Sequence, residues 1–214
     1  MMRAVIPLKI NNCKTRLSSI LSASEREDLT RAMLSDIVGT LRRCGVGVDL
    51  LSTSMEPFDL DVNQIYSDYE LNESLNEYLS KTAEHRTPPP GILIVMSDVP
   101  LLNEAHVRYI SERPEDIVIA PGRHGGTNVM YIKDPGRFKV DYYGTSFLDH
   151  QREAEEKNLT IHIYDSFYLS CDMDEPDDLI ELLIHGKGKA TRLLQEWGFK
   201  IRKNHLIELV REPP

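Results

Sequence analysis

Nothing in this 214-residue sequence approaches the ~20 consecutive apolar residues that a membrane span requires. The opening residues, Met1 to Pro7, hold no apolar stretch long enough for a secretory signal, so a soluble, cytoplasmic protein is expected. Basic charge is also short. Lys and Arg number 25 against 34 Asp and Glu, a formal net charge of −9. General binding to nucleic acid or to an anionic membrane needs a basic face, so neither partner is expected, although a local basic pocket for phosphates is still permitted. Cysteine is scarce: Cys13, Cys44 and Cys171 are odd in number and lack metal-ligand spacing, which suits reduced thiols better than a disulfide framework. There is no internal repeat, low-complexity tract or linker. A single domain over residues 1–214 is expected, with the basic stretch 187–214 as a C-terminal extension.

What is present is an alternation of strand and helix patterns. Val5 and Ile6 open a short buried strand that Pro7 is expected to stop. Ser24 reads as a helix N-cap with Glu27 as its capping-box partner. Leu29, Met33, Leu34, Ile37, Val38 and Leu41 then share one helical face, and the helix ends near Gly45. Residues 46–51 form the next strand. Ile92 to Met96 is a continuous apolar run, as expected for a strand covered on both faces. Further strands are predicted over residues 117–120, 129–132, 159–164 and 169–173. Helices are predicted over 72–79, after an Asn103 cap, over 147–157, from Pro176 to about His185, and over 190–196. This order predicts an α/β fold in three layers with a mostly parallel sheet, whose ligands gather at the carboxyl ends of the strands.

The chemistry-bearing residues fall in five segments. Asp98 follows the most apolar strand, where a carboxylate either holds a hard divalent cation or caps a turn. Asp172 and Asp174 project to one side of an extended backbone, an unfavourable pairing of like charges unless a cation neutralises it. The alternative is an acidic turn leading into a helix, the role that suits Asp177 and Asp178. Lys9, Lys14 and Arg16 give the first β-α loop the cations that a triphosphate needs, and Thr15 adds a neutral hydroxyl as a further candidate substrate contact. That loop has no glycine, so it is not a Walker A loop, and by itself it also fits a surface charge run. In residues 120–128, Arg123, Gly126, Thr127 and Asn128 combine backbone access, hydroxyl, amide and charge, although a plain hairpin uses the same glycines. Gly144 and Ser146 enter a helix whose free N–H groups suit an anion, or whose first turn Ser146 simply caps.

Together these segments resemble the 2-phospho-L-lactate guanylyltransferase family of coenzyme F420 biosynthesis, with its phosphoenolpyruvate-using relatives. The matching pieces run in order: Ala4 to Pro7 with Lys14 to Leu17, Leu71-Asn72 with Leu75, Ser97 to Leu102, Gly125 to Asn128, Ser146-Phe147 with His150, and Asp172 to Pro176. The resemblance implies a nucleotidyltransferase fold of the glycosyltransferase-A, Rossmann-like type. It implies transfer of GMP from GTP to 2-phospho-L-lactate, giving lactyl-2-diphospho-5'-guanosine and pyrophosphate. It implies Mg2+ held by Asp98, Asp172 and Asp174, and acceptor phosphate contacts from Thr127 and Ser146. The sequence departs from the family at Gly144, two residues before Ser146 where three are usual, and at Ser74, where another small residue is usual. Lys14 and Arg16, with Asp98, are expected to be catalytic, with Lys9 also on the triphosphate. The base is expected over residues 53–76, with Asn72 as its contact. Phosphoenolpyruvate or another phosphorylated acid is the alternative acceptor, and a non-catalytic nucleotide sensor is the alternative of another class. The tail, with Leu206, Ile207 and Leu209, is a candidate homodimer contact.

Overall fold

The computed structural model describes residues 2–10, 13–85, 88–203 and 207–212. Seven strands form one sheet: β1 (Met2–Leu8), β2 (Gly47–Ser52), β3 (Asn63–Tyr66), β4 (Gly91–Val95), β5 (Ile117–Pro121), β6 (Thr127–Ile132) and β7 (Ile161–Ile163). Their order is β3-β2-β1-β4-β6-β5-β7. All pairings are parallel except those of β6, which runs antiparallel to both β4 and β5. The carboxyl ends of β1 to β5 and β7 therefore share one edge, and the amino end of β6 joins them there.

Side-chain alternation along the strands builds the layers. Ala4, Ile6, Leu93 and Val95 face α1 (Ala23–Arg43) and α3 (Glu104–Ser111), packing with Leu34, Ile37, Leu41, Val107 and Ile110. Val5, Ile92 and Ile94 face α2 (Leu71–His85) and α4 (Ser146–Glu156), packing with Leu75, Leu79 and Ala154. A third cluster lies under the carboxyl edge, where Leu17, Leu29, Met33, Leu101, Met173, Leu179, Leu194 and Phe199 meet. It is closed by α6 (Asp178–His185), α7 (Lys189–Glu196) and a hairpin of β8 (Phe199–Lys203) with β9 (Ile207–Arg211). Among the described residues no helix is long and apolar enough to cross a membrane.

Four local expectations are corrected. Pro7 does not stop β1. The ladder with β4 has already ended at Val5, so Pro7 pairs on the β2 side alone, where a missing N–H is tolerated. The N-cap of α1 is Ser22 with Glu25, not Ser24 with Glu27. The Ser-x-x-Glu spacing occurs twice, two residues apart, and the earlier copy forms. Residues 169–173 are not a strand: Phe167–Ser170 is a short helix, α5, and the chain beyond it pairs with no strand. The burial alternation behind that expectation is nonetheless real, with Leu169, Cys171 and Met173 buried. Finally, α6 begins at Asp178 rather than at Pro176, which lies in the preceding turn.

The β8–β9 hairpin packs on α6 and α7 and reaches the residue just past the Thr15–Ser19 turn. Phe199 is buried there, and the Arg211 guanidinium reaches the Ile20 carbonyl, the Trp197 carbonyl and the Glu25 carboxylate. Of the candidate contact residues, Ile207 is exposed, Leu209 packs partly against the third cluster, and Leu206 lies outside the described residues.

Candidate active site

The carboxyl edge gathers the charged segments. Lys14 ends the first loop with φ 50° and ψ 43°, a left-handed conformation unfavourable for a residue with a side chain. The geometry turns its ammonium inward, where Nζ lies 2.5 Å from Asp98 Oδ2 and 2.8 Å from Asp174 Oδ1. The Lys14 side chain is only 9% exposed. Arg16 stands further out, 3.2 Å from Asp174 Oδ2, and Thr15 is exposed beside it. Asp98 follows β4, and its carbonyl accepts the Met173 N–H at 3.0 Å. That bond brings residues 172–174 against the end of β4 although no strand carries them. Asp172 and Asp174, on either side of buried Met173, thus reach the site from a loop.

Their environments differ. Burial alone would raise the Asp174 carboxyl, but Lys14, then Arg16 and Arg123, overcome it and hold it below the usual range. Asp172 is pushed up, first by burial and then by the charges of Asp98 and Asp174, and the Asn128 amide at 3.3 Å offsets this only in part. Lys14 is held above its usual value: burial opposes its charge, and Asp98 and Asp174 more than compensate.

Arg123 ties the acidic loop in place. Its guanidinium donates to the Asp172 carbonyl at 3.1 Å and pairs with Asp178. The other Asp178 oxygen accepts the N–H groups of Asp174 and Glu175 at 2.8 and 2.7 Å. Asp178, expected only as a helix-start charge, is therefore the anchor of the loop, while Asp177 makes no side-chain cap. Gly122 is required here, because a β-carbon on it would overlap the Asn128 amide.

Thr127 and Asn128 open β6 and are buried. Ser146 is the first residue of α4 and not its cap. The cap position is Thr145, which makes no side-chain cap bond, so the helix start is left without a capping side chain. Ser146 Oγ lies 3.4 Å from Thr127 Oγ1, which lies 3.0 Å from Nδ1 of buried His150. Gly144 has φ 66° in the exposed turn before α4, and Gly126 adopts an ordinary extended backbone.

Beside Lys14 and Asp98 lies a cleft of about 530 Å³, lined by Leu8, Lys9, Leu51, Thr53, Tyr69 and Leu71 among others. Residues 67–71 shape its rim. Ser74 holds that rim through a 2.8 Å bond to Ser67 Oγ and a 3.0 Å bond to the Tyr69 carbonyl, which accounts for a small polar residue before Leu75. Asn72 is not brought to this cleft. Its amide donates to Asp141 and accepts the Tyr142 N–H at 2.7 Å, binding residues 141–142 to α2.

For a divalent cation the donor set fits in kind. Asp98, Asp172 and Asp174 offer hard carboxylate oxygens, and the elevated Asp172 marks charge that a cation would relieve. As placed, no group of three or more carboxylate, imidazole or thiol side chains among the described residues surrounds one ion position, and the Lys14 ammonium lies between Asp98 and Asp174.

Comparison with known proteins adds a family match, two relatives and two solved structures. A family model described as "Guanylyl transferase CofC like" matches residues 2–212. The 2-phospho-L-lactate guanylyltransferase of Methanocella arvoryzae is 49% identical over 195 residues, covering 91% of this chain and 85% of that protein. The protein of the same name from Methanosarcina mazei is 44% identical over 209 residues, covering 96% and 98%. Among solved structures, a putative nucleotide-diphospho-sugar transferase from Desulfovibrio desulfuricans superposes with a TM-score of 0.73 at 15% identity, covering 91% of this chain and 94% of that one. A 4-diphosphocytidyl-2C-methyl-D-erythritol synthase from Anaerococcus prevotii gives 0.56 at 13% identity, covering 91% and 98%. At such identities the likeness establishes the fold, an α/β nucleotidyltransferase architecture. The match over almost the whole sequence, with relatives above 40% identity, settles the family: this chain belongs to the CofC-like guanylyl transferases.

Proposed function

We propose that this chain transfers GMP from GTP to 2-phospho-L-lactate, releasing pyrophosphate and giving lactyl-2-diphospho-5'-guanosine. The observation that carries this reading is the cluster of Lys14, Asp98, Asp172 and Asp174 at the carboxyl edge, with a cleft on one side and the Asn128, Thr127 and Ser146 row on the other. The cleft takes the nucleoside, with residues 67–71 and Tyr69 at its rim. Lys9, Lys14 and Arg16 then face the triphosphate. The acceptor phosphate sits at the uncapped start of α4, near Gly126, Gly144, Thr127 and Ser146, where N–H and O–H donors suit an anion.

The reaction joins an acceptor phosphate oxygen to the α-phosphorus of GTP and breaks the bond from that phosphorus to the oxygen bridging to the β-phosphorus. The electron pair leaves with pyrophosphate. The acceptor oxygen is already anionic at neutral pH, so no general base is required. The protein's task is to bring mutually repelling anions into line and to stabilise the charge that develops. Lys14 supplies a buried cation at the junction of the two subsites, and Arg16 supplies a bidentate group at its outer side. Arg123 and Asn128 hold the acidic loop in position. Mg2+ bound by Asp98, Asp172 and Asp174 would supply charge neutralisation between the phosphates.

A panel of four nucleoside triphosphates against 2-phospho-L-lactate, phosphoenolpyruvate and a sugar phosphate, read by pyrophosphate release with and without Mg2+, tests the proposal. Turnover is expected with GTP and 2-phospho-L-lactate and is expected to need the metal. Asp98→Asn is expected to abolish turnover while leaving the circular dichroism spectrum unchanged. A folded sample with no turnover on any pair would favour a nucleotide sensor instead.

A further inference from the structure

His150 is fully buried, yet its imidazole makes two polar contacts of opposite character. Nε2 lies 3.0 Å from the backbone nitrogen of Asp141, and Nδ1 lies 3.0 Å from Thr127 Oγ1. A backbone N–H can only donate, so Nε2 must be the bare, accepting nitrogen. The neutral ring therefore carries its proton on Nδ1 and donates it to Thr127. Burial, the main influence on this ring, keeps it neutral by moving its pKa down to about 4, against the opposing charges of Asp141 and Asp149. The Tyr142 ring lies edge-on at 5.0 Å and the Phe138 ring at 6.0 Å, so the imidazole cannot readily flip to exchange its nitrogens.

The tautomer decides what the neighbouring hydroxyls can do. Ser146 Oγ donates to Thr127 Oγ1 at 3.4 Å, which uses the Ser146 proton. With Nδ1–H filling the other lone pair on Thr127, the Thr127 proton has no acceptor in this row and is left for a ligand. In the opposite tautomer, bare Nδ1 would accept the Thr127 proton, Ser146 would donate to Thr127, and no donor would remain. The row thus presents one free O–H in one tautomer and none in the other.

We propose that His150 is a positioning residue: through its fixed Nδ1–H it makes the Thr127–Ser146 pair present an outward O–H donor to the phosphate of the acceptor. This rests on the reading above that the acceptor phosphate lies at Thr127 and Ser146. The imidazole does not touch substrate. It sets the direction of a proton that does, and it also fixes residues 141–142, which Asn72 holds from the other side.

The test measures KM for 2-phospho-L-lactate, KM for GTP and kcat in His150→Phe, His150→Asn and Thr127→Val. His150→Phe keeps a ring and loses both nitrogens. It is expected to raise the acceptor KM about tenfold and the GTP KM less than about twofold. His150→Asn, which restores an N–H near the position of Nδ1, is expected to recover most of the loss. For the acceptor KM, the double variant His150→Phe/Thr127→Val is expected to be no worse than Thr127→Val alone, because the imidazole acts on the acceptor phosphate through that hydroxyl. If Thr127→Val raises the acceptor KM and His150→Phe does not, the positioning role is overturned and the acceptor site stands. If Thr127→Val leaves the acceptor KM unchanged, the acceptor site itself is misplaced. Independently of any variant, the nitrogen-15 shifts of His150 in the wild-type protein should show Nδ1 protonated and Nε2 bare between pH 6 and 8, a range bounded below by its ring pKa of about 4. A protonated Nε2 with a bare Nδ1 would overturn the proposal outright.

Discussion

Replacing Lys14 by methionine keeps the length of the side chain and removes its charge, so it isolates what the ammonium contributes. At 2.5 and 2.8 Å from two carboxylates, Lys14 is more deeply buried than either Arg16 or Arg123. In an effective dielectric of about 20, each contact at such a distance is worth roughly 6 kcal/mol before desolvation of the ammonium is subtracted. Breaking a buried pair by removing one partner costs about 3–5 kcal/mol. Asp98 is 20% and Asp174 37% exposed, so water screens part of the charge left behind. A loss of ~2–3 kcal/mol is therefore expected, a fall of roughly 5–10 °C in Tm for a chain of this size.

The pH dependence of that loss has a definite sign. Asp174 is held below its usual value in the folded protein, so it contributes stability above the unfolded value that disappears as pH falls. In Lys14→Met, Asp174 loses that cation, its folded value rises, and protonation relieves it. The gap in Tm between variant and wild type is thus widest near pH 7 and narrows as pH falls toward the ordinary aspartate value of about 3.9. Thermal melts from pH 7 to pH 4 without added metal provide the measurement, and pyrophosphate release is expected to fall by about 100-fold or more. A variant melting within about 1 °C of wild type at pH 7, or a gap that does not change with pH, would refute the ion cluster described here.

Two further outcomes follow from the same geometry. Asp172→Asn is expected to raise the Tm of the ligand-free protein by ~2–4 °C, about 1 kcal/mol, at pH 7 while abolishing turnover, since it removes a carboxylate pushed up by burial and by Asp98 and keeps the oxygen to which Asn128 donates; the gain should vanish toward pH 4, and a lower Tm would count against a charge held at the expense of stability. Ser22→Ala is expected to lose about 1 kcal/mol and Ser24→Ala less than about 0.5 kcal/mol in urea unfolding, because only Ser22 caps α1; equal losses would contradict the observed register.

Much of the fold was legible because its signals are periodic. The apolar run at β4 and the helical face from Leu29 to Leu41 each declare their element through burial on a fixed repeat. Choices between equal local options were not legible. Two overlapping capping boxes exist at the start of α1, and tertiary contact favours the one whose Glu25 also receives Arg211. Residues 169–173 alternate like a strand but pair with none, so a buried side-chain alternation does not by itself imply a ladder. At the site, the residue types and their edge of the sheet could be read, but not their pairings. The sequence cannot show that Asn72 spends both ends of its amide on residues 141–142, or that Arg123 is committed to Asp178. His150 was missed as a functional residue because one histidine on a helix carries no spacing signal. Its role depends on the backbone N–H it meets.

The third apolar cluster explains how like charges are kept together at all. Leu17 follows Arg16, Leu101 lies just beyond Asp98, and Met173 separates Asp172 from Asp174; all three are buried in that one cluster. Each charged group at the edge is thus fastened by an apolar neighbour close by in sequence, and burial of those neighbours, at ~25 cal/mol per Å² of apolar surface, opposes the mutual repulsion of the carboxylates. Phe199 belongs to the same cluster, and Arg211 reaches back to the Ile20 carbonyl at the end of the loop that carries Lys14 and Arg16. The C-terminal segment therefore supports the site from beneath. A charge cluster built on such a floor is placed before substrate arrives, which a reaction governed by alignment and charge rather than by proton transfer requires.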